Sequence, residues 1–345
     1  MTVADIYSLA EEGLKEIEEE IACSSCSGLS YINNIADSIF KSGGKRIRSL
    51  LLLLAAGLSG YTGRRTKALG AIIEQVHTAS LMHDDVVDNA ATRRGVPSSN
   101  TLYGNRVSVL TGDCLYTSAF LKLLKKYPTP IVSLIVTTVN QMSEAEVLQL
   151  QKTSDLNITG QEYMQIVFGK TAALFSATCA SGSLLANPAD MRRKNLLYSF
   201  GTNVGCAFQL QDDLMDYLGN AKVLGKQPGT DMTEKKVTLP LILLLENSLK
   251  YPKDYNAIKK LFLSGGDKSE KLGRLLLWLE KYGIRPKAEA IVNSYIKKAQ
   301  KILLRFESSA YRDALTYLTG SLKQSQTVGR ELSEIVKNQL IKQSL

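Results

Sequence analysis

Two acidic clusters stand out by residue type and spacing: Asp84-Asp85-Val86-Val87-Asp88 and Asp212-Asp213-Leu214-Met215-Asp216. In each, the first and last aspartates are four residues apart, which on a helix stacks them one turn apart on the same face. Like charges at that spacing repel by roughly a few tenths of a kcal/mol on an exposed helix, and by more in a dry site. A chain that does this twice, at the ends of two apolar helices, has cations to put between the carboxylates. Oxygen-only donors suit Mg²⁺, which keeps several waters and shares its remaining positions with substrate phosphates. The pattern implies a two-sided metal clamp for a polyphosphate.

Basic residues accompany the clusters. Gly43-Gly44-Lys45-Arg46-Ile47-Arg48 opens an apolar run, and glycines ahead of a helix let backbone approach an anion while Lys45 and Arg48 point the same way. Arg93-Arg94-Gly95 follows the first cluster, where the arginines could form surface ion pairs or hold phosphate oxygens bidentately. Gly169-Lys170-Thr171 has the look of a P-loop, but position 164 is Met164 rather than glycine and no strand precedes it, so that reading is rejected. The second cluster is preceded by Gln209-Leu210-Gln211. It is followed by Gly225-Lys226-Gln227-Pro228-Gly229-Thr230-Asp231 and Lys235-Lys236-Val237-Thr238.

The elements that must position these residues read as helices. Leu69, Ile72, Ile73, Val76, Ser80 and His83 recur at steps of three and four, as do Leu197, Gly201, Val204 and Phe208 before the second cluster. Alternating strand patterns are missing, and breaks fall near 60–65, 94–100, 127–130, 187–188, 225–231 and 251–252. Helical segments apolar on more than one face suit the centre of a large bundle, so an all-α single domain over residues 1–345 is expected.

The net charge of +9 favours anionic partners, but no dense basic run with interleaved aromatics is present, so no nucleic acid is expected among them. Five cysteines and an acidic amphipathic N-terminal stretch, unlike a signal or transit peptide, suggest a cytoplasmic protein. Cys23 and Cys26 lack the second pair or the histidine of a zinc site. The longest purely apolar run, Leu50 to Ala56, is too short to cross a bilayer.

A single D-D-x-x-D is weak evidence; two, one followed by paired arginines and the other by a Gly-Lys-rich loop, are specific. From about Ile35 to about Pro240 the chain resembles the trans-polyprenyl diphosphate synthases, the head-to-tail isoprenyl chain elongases. The resemblance implies an all-helical homodimer with a central cavity and both aspartate motifs at its mouth. It implies that Asp84, Asp88 and Asp212, supported by Asp85, Asp213 and Asp216, hold Mg²⁺ on an allylic diphosphate, farnesyl or geranylgeranyl. Arg93 and Lys226 match the family's allylic-diphosphate contacts. Lys45, Arg48, His77 and Arg94 match its isopentenyl diphosphate pocket, and Lys170, Thr171 and Gln209 its lining at the reacting end of the chain.

Short-product members of that family carry a bulky aromatic four or five residues before the first aspartate, where this chain has Ser80 and Ala79. From Asp84 to Ile73 the helix would offer on the order of 16 Å of open wall. A long product, hexaprenyl to decaprenyl, is therefore expected, as for a quinone side chain, with Phe120 a candidate to close the floor lower down. The rivals are a geranylgeranyl diphosphate synthase, a terpene cyclase, a non-catalytic partner subunit and a basic nucleic-acid binder. Ala145 and Lys235 stand where the family usually has glycine, which should alter packing or loop shape. The tail after about Gly320 matches nothing assignable, and one possible role for it is transient contact with a membrane receiving the product.

Overall fold

The three-and-four spacing of apolar residues becomes a helical bundle in the computed structural model, which describes residues 2–23, 26–41, 44, 46–93, 95–218 and 228–324. Ten helices precede the second aspartate cluster's end: α1 (Val3–Cys23), α2 (Ser30–Lys41), α3 (Ile47–Leu58), α4 (Arg65–Val87), α5 (Ser99–Tyr103), α6 (Asn105–Lys126), α7 (Thr129–Gln151), α8 (Gly160–Val167), α9 (Ala173–Ala186) and α10 (Met191–Leu218). A short α11 (Thr230–Thr233) leads to α12 (Leu239–Ser248), α13 (Pro252–Leu263), α14 (Lys268–Lys281), α15 (Ile284–Leu303) and α16 (Ala310–Ser321).

Local chemistry sets several starts. Thr159 and Glu162 form a reciprocal capping box at α8, while prolines open α7, α12 and α13, where a missing N–H costs nothing. α9 is the centre: every residue from Ala173 to Leu185 is buried, so it is enclosed on all sides. α4 touches one side of it and α10 runs along another. Close approach of α9 and α10 needs glycine. A Cβ at Gly201 would lie 2.5 Å from the Phe175 carbonyl oxygen, and one at Gly205 2.5 Å from Ala172 Cα. The two aspartate-bearing helices thus flank one apolar axis, and their charged ends reach the same end of the bundle.

Two features depart from a purely α-helical reading. Thr92–Arg93 and Val96–Pro97 pair as a two-stranded antiparallel ribbon, too short to leave any alternating pattern in the sequence. Phe168–Ala172 forms a π-helical turn between α8 and α9, so Gly169-Lys170-Thr171 lies within a helix and not in a phosphate-binding loop. π turns widen a helix locally and recur at functional sites.

That turn presses against α7. A Cβ at Gly169 would sit 2.4 Å from Ala145 Cβ and 2.8 Å from the Gln141 carbonyl oxygen. Gly169→Ala should therefore destabilise by about 1–3 kcal/mol through overpacking. Adding Ala145→Gly should recover only part of this coupling, because the Gln141 carbonyl stays; urea unfolding of the four proteins of the cycle measures it.

Candidate active site

The last turn of α4 supplies Asp84 and Asp85, and Asp88 caps that helix, its N–H bonded to the Asp84 carbonyl at 2.8 Å. The chain then turns through Asn89, left-handed at φ 49°, into the ribbon that returns Arg93 toward the helix. Arg93 Nε donates to Asp85 Oδ1 at 2.6 Å, and Asp85 is only 3% exposed. The ribbon thus sets Arg93 in an ion pair with Asp85.

Asp88 Oδ1 accepts from Lys236 Nζ at 3.0 Å, and the same ammonium lies 2.7 Å from Glu234. Burial would lower the Lys236 pKa, but Asp88 and Glu234 outweigh it and hold the lysine above its usual range. Lys236 belongs to the segment after the second aspartate cluster, so this contact joins the two motif regions across one mouth. Asp84 fares less well. Burial pushes its carboxyl up to about 6; Lys170 and Arg93 pull it down, and Glu146 and Asp88 oppose them. Lys170 itself donates to Glu146 Oε2 at 2.7 Å.

On α10 the second cluster divides. Asp212 is partly exposed, whereas Asp213 and Asp216 are buried. Asp213 Oδ2 accepts from the Tyr163 hydroxyl at 2.5 Å and Oδ1 from Gln209 Nε2 at 2.7 Å. Burial still drives Asp213 up to about 6. Gln209 Oε1 accepts in turn from Thr171 Oγ1 at 2.6 Å, so the Thr171–Gln209 relay and the Tyr163 hydroxyl converge as donors on the Asp213 carboxylate. Asp216 Oδ2 accepts from the Asp231 N–H at 2.9 Å, tying α10 to the start of α11.

Lys170, Gln209, Asp213, Asp231 and Lys236 line one solvent-open cleft. Arg48 lies off to the side, its guanidinium 4.9 Å from the centre of the Phe175 ring on α9. His77 is partly buried on α4, two turns below Asp84. Lys45, Arg94 and Lys226 lie outside the described residues. Three mouth residues carried no assignment from sequence: Lys236, Glu146 and Tyr163. Lys236 was visible in the Gly-Lys-rich run; nothing in the local pattern of Glu146 or Tyr163 marks its partner.

Among the described residues, no three acidic, histidine or cysteine side chains converge as an all-protein metal cage requires. The donor set fits a hard divalent ion that keeps water and phosphate ligands. Asp84 and Asp88 offer oxygen only, Asp84 is under-compensated, and an ammonium already sits on Asp88.

The wall below the aspartates differs from its reading on α4 alone. Ile73 and Ala79 have no exposed surface, whereas Ser80 and His77 stay partly exposed, so the face is closed at Ile73 and not along its upper part. α6 lies opposite: Tyr116 faces Ser80 and Asp84, and Phe120 stacks on Tyr116 with ring centres 6.2 Å apart. The small residues on α4 make room for aromatics from a neighbouring helix, a long-range pairing invisible to a one-helix argument.

Residues 29–276 match the model of a family described as polyprenyl synthetase. The octaprenyl diphosphate synthase of Escherichia coli (strain K12) is 38% identical over 242 residues, covering 70% of this chain and 75% of that protein. An all-trans-nonaprenyl-diphosphate synthase (geranyl-diphosphate specific) of Rhodobacter capsulatus is 33% identical over 316 residues, 91% of this chain and 95% of that one. Among solved structures, a polyprenyl synthase from Caulobacter crescentus CB15, complexed with calcium and isoprenyl diphosphate, superposes with a TM-score of 0.86. It has 31% identity and covers 93% of this chain and 98% of that chain.

The raised Asp84 pKa carries a stability consequence. A carboxyl at about 6 when folded and 3.8 when unfolded loses stability as pH rises between those values, and the deficit persists at pH 7. In metal-free buffer at pH 7, Asp84→Asn should raise stability by about 1–2 kcal/mol after allowing for partial solvation. The gain should disappear below about pH 4, where both states are protonated; thermal melts across pH check it.

Proposed function

The chain belongs to the polyprenyl synthetase family, and from that premise we propose how it works as a long-chain trans-polyprenyl diphosphate synthase. It is a prenyltransferase that condenses isopentenyl diphosphate head-to-tail with an allylic diphosphate. The observation that carries the reading is the meeting of both aspartate regions at one mouth, bridged by Lys236 on Asp88 beside the Lys170 cleft. Breaking an allylic C–O bond leaves a carbocation and a diphosphate, so the main task is to stabilise departing negative charge in a site shielded from water. Asp84, Asp88 and Asp212, with Asp85, Asp213 and Asp216 behind them, would hold Mg²⁺. When bound it neutralises phosphate oxygens and makes the diphosphate a better leaving group.

The remaining work falls to the chain's own groups. Arg93 and Lys226 hold the allylic diphosphate, for which Arg93 exchanges its Asp85 contact for phosphate oxygens. Lys45, Arg48, His77 and Arg94 hold isopentenyl diphosphate. Lys170 adds positive charge beside Asp84. Thr171 donates a hydrogen bond to Gln209, which leaves hydroxyl lone pairs free to face a developing cation, and the bond from Gln209 to Asp213 fixes that orientation. The double bond of isopentenyl diphosphate attacks the cation, and the released diphosphate takes the proton that the isopentenyl unit then loses to form the new double bond.

The octaprenyl and nonaprenyl relatives support a long product, octaprenyl to decaprenyl, built from farnesyl or geranylgeranyl diphosphate for a quinone side chain. Tyr116 beside Ser80 is the one observation favouring the shorter geranylgeranyl alternative. Purified protein incubated with farnesyl diphosphate, labelled isopentenyl diphosphate and Mg²⁺ should give a chelator-sensitive ladder ending beyond the geranylgeranyl length. A stop at geranylgeranyl would leave the family and remove the long-product reading. Ser80→Phe should shorten the ladder to geranylgeranyl or below. Tyr116→Ala and Phe120→Ala should each shift it upward by one or more isoprene units.

We further propose that it acts as a single-domain cytoplasmic homodimer with transient membrane contact for product release. The five cysteines are all free, in keeping with a reducing compartment. α6 is the one described helix long and apolar enough to cross a membrane, with only part of its surface packed. Leu110, Leu121 and Leu124 on α6, and Val136, Val147 and Leu150 on α7, leave an exposed apolar face that a second copy would cover. Leu121→Glu with Val147→Glu should halve the mass measured by light scattering at micromolar concentration.

A further inference from the structure

One side chain of the basic stretch points into the protein instead of toward the mouth. Arg46 is 8% exposed and forks onto Glu18 of α1, with Nε on Oε1 and Nη2 on Oε2 at 3.2 Å. Nη2 also lies 3.5 Å from the Phe40 carbonyl oxygen of α2, and Nη1 3.5 Å from Glu74 Oε2 of α4. The other Glu74 oxygen accepts from Ser49 Oγ at 2.8 Å and from the Ser49 N–H at 3.3 Å. Ser49 is the third residue of α3, and the N-cap position of that helix, Arg46, offers no side-chain cap of its own. A carboxylate from α4 therefore caps α3, where the helix dipole favours negative charge.

The arrangement is costly. Arg46 adopts φ 48° and ψ 31°, left-handed backbone that a side chain raises by about 1–2 kcal/mol. Buried ion networks of this kind rarely outdo apolar packing as a source of stability, although they do fix one geometry. What is fixed here is the start of α3 against α4. Glu74 lies ten residues before Asp84 on the same helix, about 15 Å along its axis. Arg48 follows Arg46 by two residues.

We propose that Arg46 is a positioning residue for isopentenyl diphosphate. Through Glu18 and Glu74 it sets the orientation of Arg48 and the α3 N-terminus relative to the aspartates that end α4. The inference rests on the reading above in which the basic stretch holds that substrate, and the test separates the two.

Steady-state kinetics would be measured for the wild type, Arg48→Ala, Arg46→Lys and Glu18→Gln, with circular dichroism melts for each. Arg46→Lys keeps the charge but loses the fork. It should raise KM for isopentenyl diphosphate about tenfold, with KM for farnesyl diphosphate within twofold and kcat within threefold. Glu18→Gln, which keeps acceptor and shape, should give a smaller rise of about threefold with the same selectivity. If Arg48→Ala raises that KM and neither network variant does, positioning by Arg46 is overturned. Equal rises for both substrates would also overturn it, since they mark a general loosening. Should Arg46→Lys fail to fold, the selectivity of Glu18→Gln decides. An unchanged KM in Arg48→Ala would instead remove the binding role of the stretch, and the positioning role with it.

Discussion

Carboxylates gathered at one end of an apolar bundle need compensation, and the mouth is built around that need. Asp85 takes Arg93 from the ribbon, Asp88 takes Lys236, Asp213 takes Tyr163 and Gln209, and Asp216 takes a backbone N–H of α11. Each partner comes from a different element or another turn, so balancing charge also fastens the mouth together. Burial holds the Asp84 carboxyl at about 6 against the pull of Lys170 and Arg93. A cation brought in with a diphosphate, as proposed above, would relieve the same imbalance that the lysines and Arg93 relieve without it.

Backbone strain also collects beside the mouth, with Arg46 the exception. Among the described residues, four other than glycine have positive φ: Arg46, Asn89, Ser154 and Lys235. Arg46 opens α3, Asn89 follows Asp88, Lys235 precedes Lys236, and Ser154 donates its N–H to the Lys235 carbonyl at 2.9 Å. The π turn that carries Lys170 and Thr171 is a further irregularity. Left-handed backbone at Lys235 gives a physical reason for glycine being usual at that place. Here the loop keeps its shape at a cost that the surrounding contacts offset. The apolar axis formed by α9, packed on α4 and α10, supplies the stability that such a site draws down.

The helices were legible because their signals are local: apolar residues at steps of three and four, prolines at starts, glycine or proline at breaks. The ribbon at 92–97 was not, since two residues per strand leave no period to read. Asp84, Asp88 and Asp212 could be singled out because like charges stacked on a helix have no local reason to exist. The roles of Lys236, Glu146 and Tyr163 could not, because each depends on a partner at least 24 residues away. What lies opposite the α4 wall was hidden for the same reason. Ser80 and Ala79 are small, but whether their space stays open is decided by Tyr116 and Phe120 on another helix.

By itself, then, the sequence determined the helical class, the paired aspartate motifs and the chemistry those motifs serve. Residue type and spacing along one helix are sufficient for that. Tertiary structure decided which carboxylates face the mouth and which are spent on tyrosine, glutamine or backbone. It decided that Arg46 turns inward while Arg48 lies over Phe175, and which aromatics of α6 face the helix below Asp84. Those outcomes depend on contacts between segments far apart in the chain, and no local pattern encodes a distance that only packing sets.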